Sequence, residues 1–218
     1  HYQMGKFVHE DALCSKDGKS VYLSDDMNPG VFFKFETDIP FNYDKGQLYA
    51  LQLADNGLDG KWLSLPNDTA TWFNARQVAL KHGASMFNRH EWLEEINGKI
   101  YISETGDDDY NLTESTALGG KITNYAKSNL TAQGPDNYND PYGRLLEFDM
   151  TTNQMRIYLE GGMIDSLSCF SSPDSNTSVK IGNKTYLVIS EDIIGTDHGR
   201  SGDGESGYYN ELYFLDMS

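Results

Sequence analysis

Short apolar runs separated by turn residues recur along the whole chain, and none approaches the roughly 18 apolar residues of a membrane-spanning helix. The clearest pattern is one motif written three times. Val8-His9-Glu10-Asp11 leads through Asp17-Gly18-Lys19 into Val21-Tyr22-Leu23-Ser24-Asp25-Asp26. Arg89-His90-Glu91-Trp92 leads through Asn97-Gly98-Lys99 into Ile100-Tyr101-Ile102-Ser103-Glu104-Thr105. A looser copy runs from Ser172-Pro173-Asp174 through Gly182-Asn183-Lys184 into Tyr186-Leu187-Val188-Ile189-Ser190-Glu191-Asp192. Each copy predicts a strand, a tight turn and a second strand ending in Ser-acid, because Asp-Gly, Asn-Gly and Gly-Asn supply the left-handed backbone of hairpin turns. Glu10, Glu91 and Asp174 stand 81 and 83 positions apart, a long period that implies inserted loops.

Further strands are predicted at 30–36 and 46–53 after the first copy, at 143–150 and 154–160 after the second, and at 211–216 after the third. About four antiparallel strands per unit, repeated, predict an all-β fold like a β-propeller, with matching positions for Tyr22, Tyr101 and Tyr186. The units lie at about 5–66, 86–162 and 168–218. Closing a ring typically takes about four to eight blades, so three leave it incomplete, to be finished by further chain or by another chain. Residues 71–86 predict a helical connector, with Phe73, Val78, Ala79 and Leu80 as a partial apolar stripe before Gly83. Residues 106–142 predict a long polar loop.

Charge narrows the function. Lys and Arg number 17 against 33 Asp and Glu, a net charge of −16, whereas nucleic acids and anionic membrane surfaces call for the opposite sign. The repeat sets carboxylates at equivalent points: Glu10, Glu91 and Asp174 on first strands, Asp25, Glu104 and Glu191 at the ends of second strands, with Asp26 and Asp192 beside them. In a propeller these points face one channel mouth, where like charges in a partly dry site repel. A hard divalent cation such as Ca²⁺, which takes roughly six to eight oxygen ligands, relieves that repulsion. His9 and His90 each precede a repeat Glu and either add nitrogen ligands for a transition metal or serve as structural hydrogen-bonding groups. Arg76 and Arg89 are candidate substrate-binding residues, since the guanidinium fork fits phosphate; they are equally suited to pairing with acidic surface. No Gly-x-Ser-x-Gly elbow, His-Glu-x-x-His pair or phosphate loop is present, and Asp107–Asp109 lack the Gly and terminal Glu of an EF-hand loop.

The chain opens His1-Tyr2-Gln3, without Met or a charged-then-apolar leader, as expected of a processed chain or a fragment. Five Asn-x-Ser/Thr triplets, at Asn67, Asn111, Asn129, Asn176 and Asn183, are glycan acceptors in a secretory pathway or simply part of an Asn-rich surface. Of the two cysteines, Cys14 is expected to be a small buried hydrophobe, with thiolate ligation as the alternative, and its bridging to Cys169 is left open.

The run Gly5-Lys6-Phe7-Val8-His9-Glu10-Asp11-Ala12, the Asp25-Asp26 pair with Gly30-Val31-Phe32-Phe33-Lys34-Phe35, the strand Gly46-Gln47-Leu48-Tyr49-Ala50, and Gly83-Ala84-Ser85 leading to Arg89-His90-Glu91-Trp92 resemble PhoX-type alkaline phosphatases and their propeller relatives. The resemblance covers residues 5–105 closely and the Pro173-Asp174 unit more loosely. It implies a secreted β-propeller whose channel-mouth acids bind calcium, with iron in the phosphatases, and which hydrolyses phosphomonoesters. It further implies Glu10, Glu91 and Glu104 as metal ligands, Asp25 with them, and Arg89 as a phosphate contact. His90 stands where such relatives often carry Pro, the chain is shorter than a complete family domain, and the phosphatase-specific iron ligands find no match. The expected function is a secreted, metal-dependent phosphoester hydrolase acting on a small phosphorylated substrate. A calcium-dependent lactonase-like propeller would use one Ca²⁺ and fewer acids. The non-catalytic alternative is an extracellular glycoprotein that uses its propeller for assembly, by self-association or with another chain.

Overall fold

The computed structural model describes residues 2–110, 112–130, 134, 138–140, 142–163, 169–192 and 211–218. The three repeat copies form three antiparallel hairpins, each the start of one sheet. The first sheet runs in the order β1 (His9–Cys14), β2 (Ser20–Asp25), β3 (Phe33–Glu36), β4 (Gln47–Leu53) and β5 (Gly60–Ser64). Helices α1 (Thr69–Phe73) and α2 (Ala75–Lys81) and the short strand β6 (Ser85–Met86) connect it to β7 (His90–Ile96) and β8 (Lys99–Glu104). An insertion follows, holding β9 (Asp107–Tyr110), α3 (Thr113–Leu118), β10 (Lys121–Ile122), α4 (Asn124–Asn129) and β11 (Tyr138–Asp140). Strands β12 (Arg144–Asp149) and β13 (Met155–Glu160) then complete the second sheet, in the order β7-β8-β12-β13. A small pair, β14 (Gly162–Met163) and β15 (Cys169–Phe170), leads to the third sheet of β16 (Pro173–Ile181), β17 (Lys184–Glu191) and β18 (Leu212–Asp216).

The turns behave as their residues require. Asn97 and Gly98 sit at φ 54° and 83°, Gly18 at 68° and Gly182 at 65°, in the left-handed region that closes a hairpin. Each hairpin also carries one irregularity at the same place. His9 and Ala12 face Asp25 and Leu23; His90 and Leu93 face Glu104 and Ile102; Pro173 and Asn176 face Glu191 and Ile189. In every case the first strand has one extra residue, a β-bulge, which re-aims the side chains it carries. The bulged residues are Glu10-Asp11, Glu91-Trp92 and Asp174-Ser175.

First strands lie side by side, β7 packing against both β1 and β16. Tyr22, Phe32 and Leu51 of the first sheet meet Leu93, Ile100, Ile102, Leu146 and Phe148 of the second in one buried cluster. Ile96, Tyr101 and Leu145 meet Leu187 and Ile189 in another, joining the second sheet to the third. A third cluster covers the other face of the first sheet, where Val21, Leu23, Phe33 and Phe35 pack under Ala75, Ala79 and Leu80 of α2. Each large side chain buried there contributes about 1.5–3 kcal/mol, so these seams hold the sheets face to face. The outer edges are tied as well: Trp62 Nε1–H donates to Asn153 Oδ1 at 2.9 Å, and Gly60 N–H to Asn153 O at 2.9 Å. A side chain at Gly60 would place its Cβ 2.4 Å from that carbonyl, so only glycine fits the approach.

Three details differ from the sequence reading. The helix expected over 71–86 is broken at Asn74 (φ −131°, ψ 36°), whose side-chain amide donates to Ala70 O at 2.8 Å, and its last residues form β6. The stretch 106–142 holds helices and strands as well as polar loop, because Leu112, Ala126 and Tyr138 are buried in the cluster beneath the first sheet. The register pairs Tyr22 with Leu13 and Tyr101 with Glu94, but the third hairpin is longer, so Val188 occupies the matching place and Tyr186 lies two residues earlier.

Among the described residues, the third sheet is covered on one face. Leu187–Leu215 and Ile189–Tyr213 form the pairs turned toward the second sheet, while Val188–Phe214 and Ser190–Leu212 form those turned away. Leu212, Phe214 and Ile181 are all more than half exposed.

Candidate metal centre

The bulges bring the first-strand acids together. Glu10, Asp26 and Glu91 each place one carboxylate oxygen within 4.8 Å of the others, and the charge of Asp174, from the third hairpin, acts on both Glu10 and Glu91. By register Glu10, Glu91 and Asp174 are one structural position in three hairpins, and Asp26, Thr105 and Asp192 are another. Desolvation, then the charges of Asp26 and Asp174, raise the Glu10 carboxyl. Burial, then Asp26, push Glu91 up to about 8, against the opposing pull of Arg89. Asp174 is raised by burial and then by Asp192. Acids forced this way take up either a proton or a cation.

Neighbours fix the cluster's geometry. Arg89 Nε donates to Asp26 Oδ1 at 2.9 Å and its Nη2 to Glu91 Oε1 at 3.0 Å, across two hairpins. Arg89 holds a left-handed backbone (φ 62°), which turns its guanidinium back over the cluster. Thr105 Oγ1 donates to Glu91 Oε1 and lies 3.0 Å from Pro173 O. Asp11 Oδ2, in the first bulge, accepts the Leu93 N–H at 2.9 Å, and Asn176 donates to Trp92 O at 3.0 Å, so each bulge is also pinned to its neighbour.

The second-strand acids go elsewhere. Asp25 is fully buried and accepts the N–H groups of Val8 and Val31, both at 3.2 Å. Burial pushes it up to about 7, while Arg76 and those two N–H groups pull it down. Glu191 accepts from Ser171 N–H at 2.8 Å and Glu211 N–H at 3.0 Å. Glu104, fully buried, accepts from Asn88 N–H at 3.2 Å and Tyr125 O–H at 2.9 Å and is paired with Arg144. Burial alone would raise Glu104, but His90 and Arg144 outweigh it and hold the carboxyl below its usual range. These three acids play the same structural part, since the acid ending each second strand takes a backbone N–H from the segment entering the first strand of its own hairpin.

Of the remaining candidates, neither histidine is among the converging ligands. His9 Nε2 is 3.0 Å from Gly5 O and its ring stacks on Phe7; His90 is buried against Phe87, its Nε2 3.2 Å from Glu104 Oε2 but too poorly aligned for a hydrogen bond. Arg76 lies on α2, bordering two cavities, and its charge acts on Asp25. Cys14 is exposed at the far end of the edge strand β1, where it pairs with Val21, so the expected burial fails. The Cys169 side chain lies outside the described residues. Asn67 and Asn183 are exposed. Asn176 is buried, its amide donating to Trp92 O, Tyr101 O and Ser103 Oγ, so the fold has no room for a glycan there. Asn111 and the Asn129 side chain lie outside the described residues.

Two residues carry more than their sequence context suggests. Asp26 belongs to the cluster itself; its place directly after the repeat's Ser-acid was the available signal. Arg144 is buried with Glu104, Asp140 and Glu160 around it and the Tyr125 ring 4.4 Å away, and nothing local marks it.

Against known proteins, the profile of alkaline phosphatase PhoX matches residues 1–212. The chain belongs to the PhoX family. A comparison with curated proteins finds no match. Among solved structures, Pseudomonas fluorescens PhoX, in complex with vanadate, a transition state analogue, superposes with a TM-score of 0.69 at 21% identity. The match covers 99% of this chain and 43% of that one, so the chain spans less than half the length of its PhoX relative and shares its β-propeller architecture over that span.

Proposed function

We propose that the cluster of Glu10, Asp26, Glu91 and Asp174 is the metal centre of a secreted, metal-dependent phosphoester hydrolase of the PhoX type. The convergence of Glu10, Asp26 and Glu91 from two hairpins, with the charge of Asp174 acting on them from the third, supports this reading, since oxygen donors alone, in a partly dry site, fit a hard cation. Bound there, Ca²⁺ would neutralise a phosphate oxygen and lower the pKa of a coordinated water. The protein's part is to hold the donors: Arg89 bridges Asp26 and Glu91, and Thr105 fixes Glu91. Arg89 also brings a guanidinium to the mouth of the cluster, where the fork suits a phosphate oxygen. Iron is the second candidate metal, less favoured because both histidines point elsewhere. The substrate class is a small phosphomonoester, in keeping with the vanadate bound by the P. fluorescens relative. A lactonase-like site is less well supported, because three acids converge with the charge of a fourth acting on them, where one Ca²⁺ would need fewer. Exposed Asn67 and Asn183 support a secretory route.

The test is metal content together with turnover of p-nitrophenyl phosphate by the full-length protein, wild type against Glu91→Gln. Bound calcium and a loss of about 100-fold or more in the variant support the reading. Metal-free protein that turns over nothing would abandon it.

The outward face of β16–β18, with Ile181, Leu212 and Phe214 exposed, favours a second reading in which further blades or a second copy complete the ring. On that reading Phe214→Glu changes the oligomeric state in light scattering and leaves metal binding alone.

A further inference from the structure

One cationic feature near the cluster takes no part in holding it. Arg76 makes no side-chain hydrogen bond or ion pair among the described residues, so its guanidinium keeps donors and a charge that no protein acceptor fills. The guanidinium borders a cavity of about 280 Å³ lined by Lys6, Val8, Phe73, Asn74 and Gln77. Val8 joins this cavity to the candidate metal centre: its carbonyl accepts the Asp26 N–H at 2.9 Å, and Glu10 follows two residues later. On the far side of Arg76 a second cavity carries Glu114, whose charge opposes an anion there, so the Lys6 side is the one suited to negative charge. On a chain of net charge −16, two cations and two amides around one hollow beside a phosphate-type site form a specific arrangement.

We propose that the cavity between Lys6 and Arg76 is a subsite for a second anionic group on the substrate, selecting phosphomonoesters that carry another phosphate or a carboxylate. This rests on the hydrolase reading above. Asn74 and Gln77 supply neutral donors beside the two charges, and half-exposed Val8 and Phe73 give the carbon skeleton an apolar wall.

The experiment compares glucose 1,6-bisphosphate with glucose 6-phosphate on the metal-loaded full-length protein, as wild type, Arg76→Gln and Lys6→Gln. The expected result is a kcat/KM preference for the bisphosphate that falls at least tenfold in each variant and weakens with added salt. A preference that stays within twofold in both variants overturns the subsite. Because Arg76 also offsets the buried Asp25 charge, Arg76→Gln can fail to fold; Lys6, exposed, keeps the test decisive. If neither ester is turned over, the hydrolase reading fails separately, and calorimetric binding of the bisphosphate decides: binding lost in Lys6→Gln supports the subsite, and equal binding or none in wild type sinks it.

Discussion

The two rows of repeated acids share a sequence pattern and meet opposite physical fates. Glu10, Glu91 and Asp174 sit in bulges; Glu10 and Glu91 converge with Asp26, Asp174 adds its charge from the third hairpin, and too little positive charge lies nearby to satisfy them. Asp25, Glu104 and Glu191 sit on regular strand ends, buried, each satisfied by backbone N–H groups, and Glu104 by a buried arginine as well. One extra residue in a strand therefore separates a candidate ligand from a structural acid. The lesson concerns satisfaction: a carboxylate whose acceptor sites are filled by protein donors holds the fold together, and one that faces other carboxylates awaits something from outside.

Breaking the structural row should do the most damage. Arg144→Met leaves Glu104 and Asp140 buried without their counter-charge, and a loss of about 3–5 kcal/mol is expected in urea unfolding, with or without calcium. A loss below about 1 kcal/mol would mean that the second row is not held electrostatically.

The converging row should respond to metal instead. Calcium at a hundredfold excess over its Kd should stabilise the wild type by about 2.7 kcal/mol, a rise of roughly 5–10 °C in Tm that EDTA reverses. Glu91→Gln should remove that rise while leaving the chelated protein as stable as before or more so, since one repelling charge has gone. An equal calcium-dependent rise in Glu104→Gln and in wild type would confirm that Glu104 is outside the centre; its disappearance only in Glu104→Gln would reverse the assignment of the two rows.

Next in size comes the tie between the second and third hairpins. Asn176→Ala strips the donor shared by Trp92 O, Tyr101 O and Ser103 Oγ, and about 1–3 kcal/mol should be lost in thermal or urea unfolding. An Asn176→Gln protein that folds normally would show that the site tolerates bulk, contrary to its burial.

The smallest effect belongs to Glu147, an acid on β12 that joins neither row. Burial would raise it, but hydrogen bonds from Arg156, Lys99 and Tyr101 hold it below the usual carboxylate range. Its folded pKa lies under the unfolded value of about 4.3, so its stabilisation is present above that pH and fades as pH falls through the folded value. The Tm gap between wild type and Glu147→Gln should accordingly be open at neutral pH and close on acidification below about pH 4. A gap that widens in acid would contradict the shift.

Much of this molecule was written in local chemistry. Asp-Gly, Asn-Gly and Gly-Asn turns set between alternating apolar residues determined three hairpins, and the recurrence of Ser-acid at their ends determined that the hairpins were copies of one unit, because turn geometry and strand periodicity depend only on near neighbours. The same residues could not separate the two rows of acids, since a bulge is a mismatch between partners and exists only once two strands are paired. Nor could they show that Arg144 would be buried against Glu104, 40 residues away, that Asn176 would spend its amide on the second hairpin, or that Cys14 would face water. Those outcomes depend on which donors and acceptors three packed sheets bring within about 3 Å of one another, and that distance is decided by tertiary packing alone.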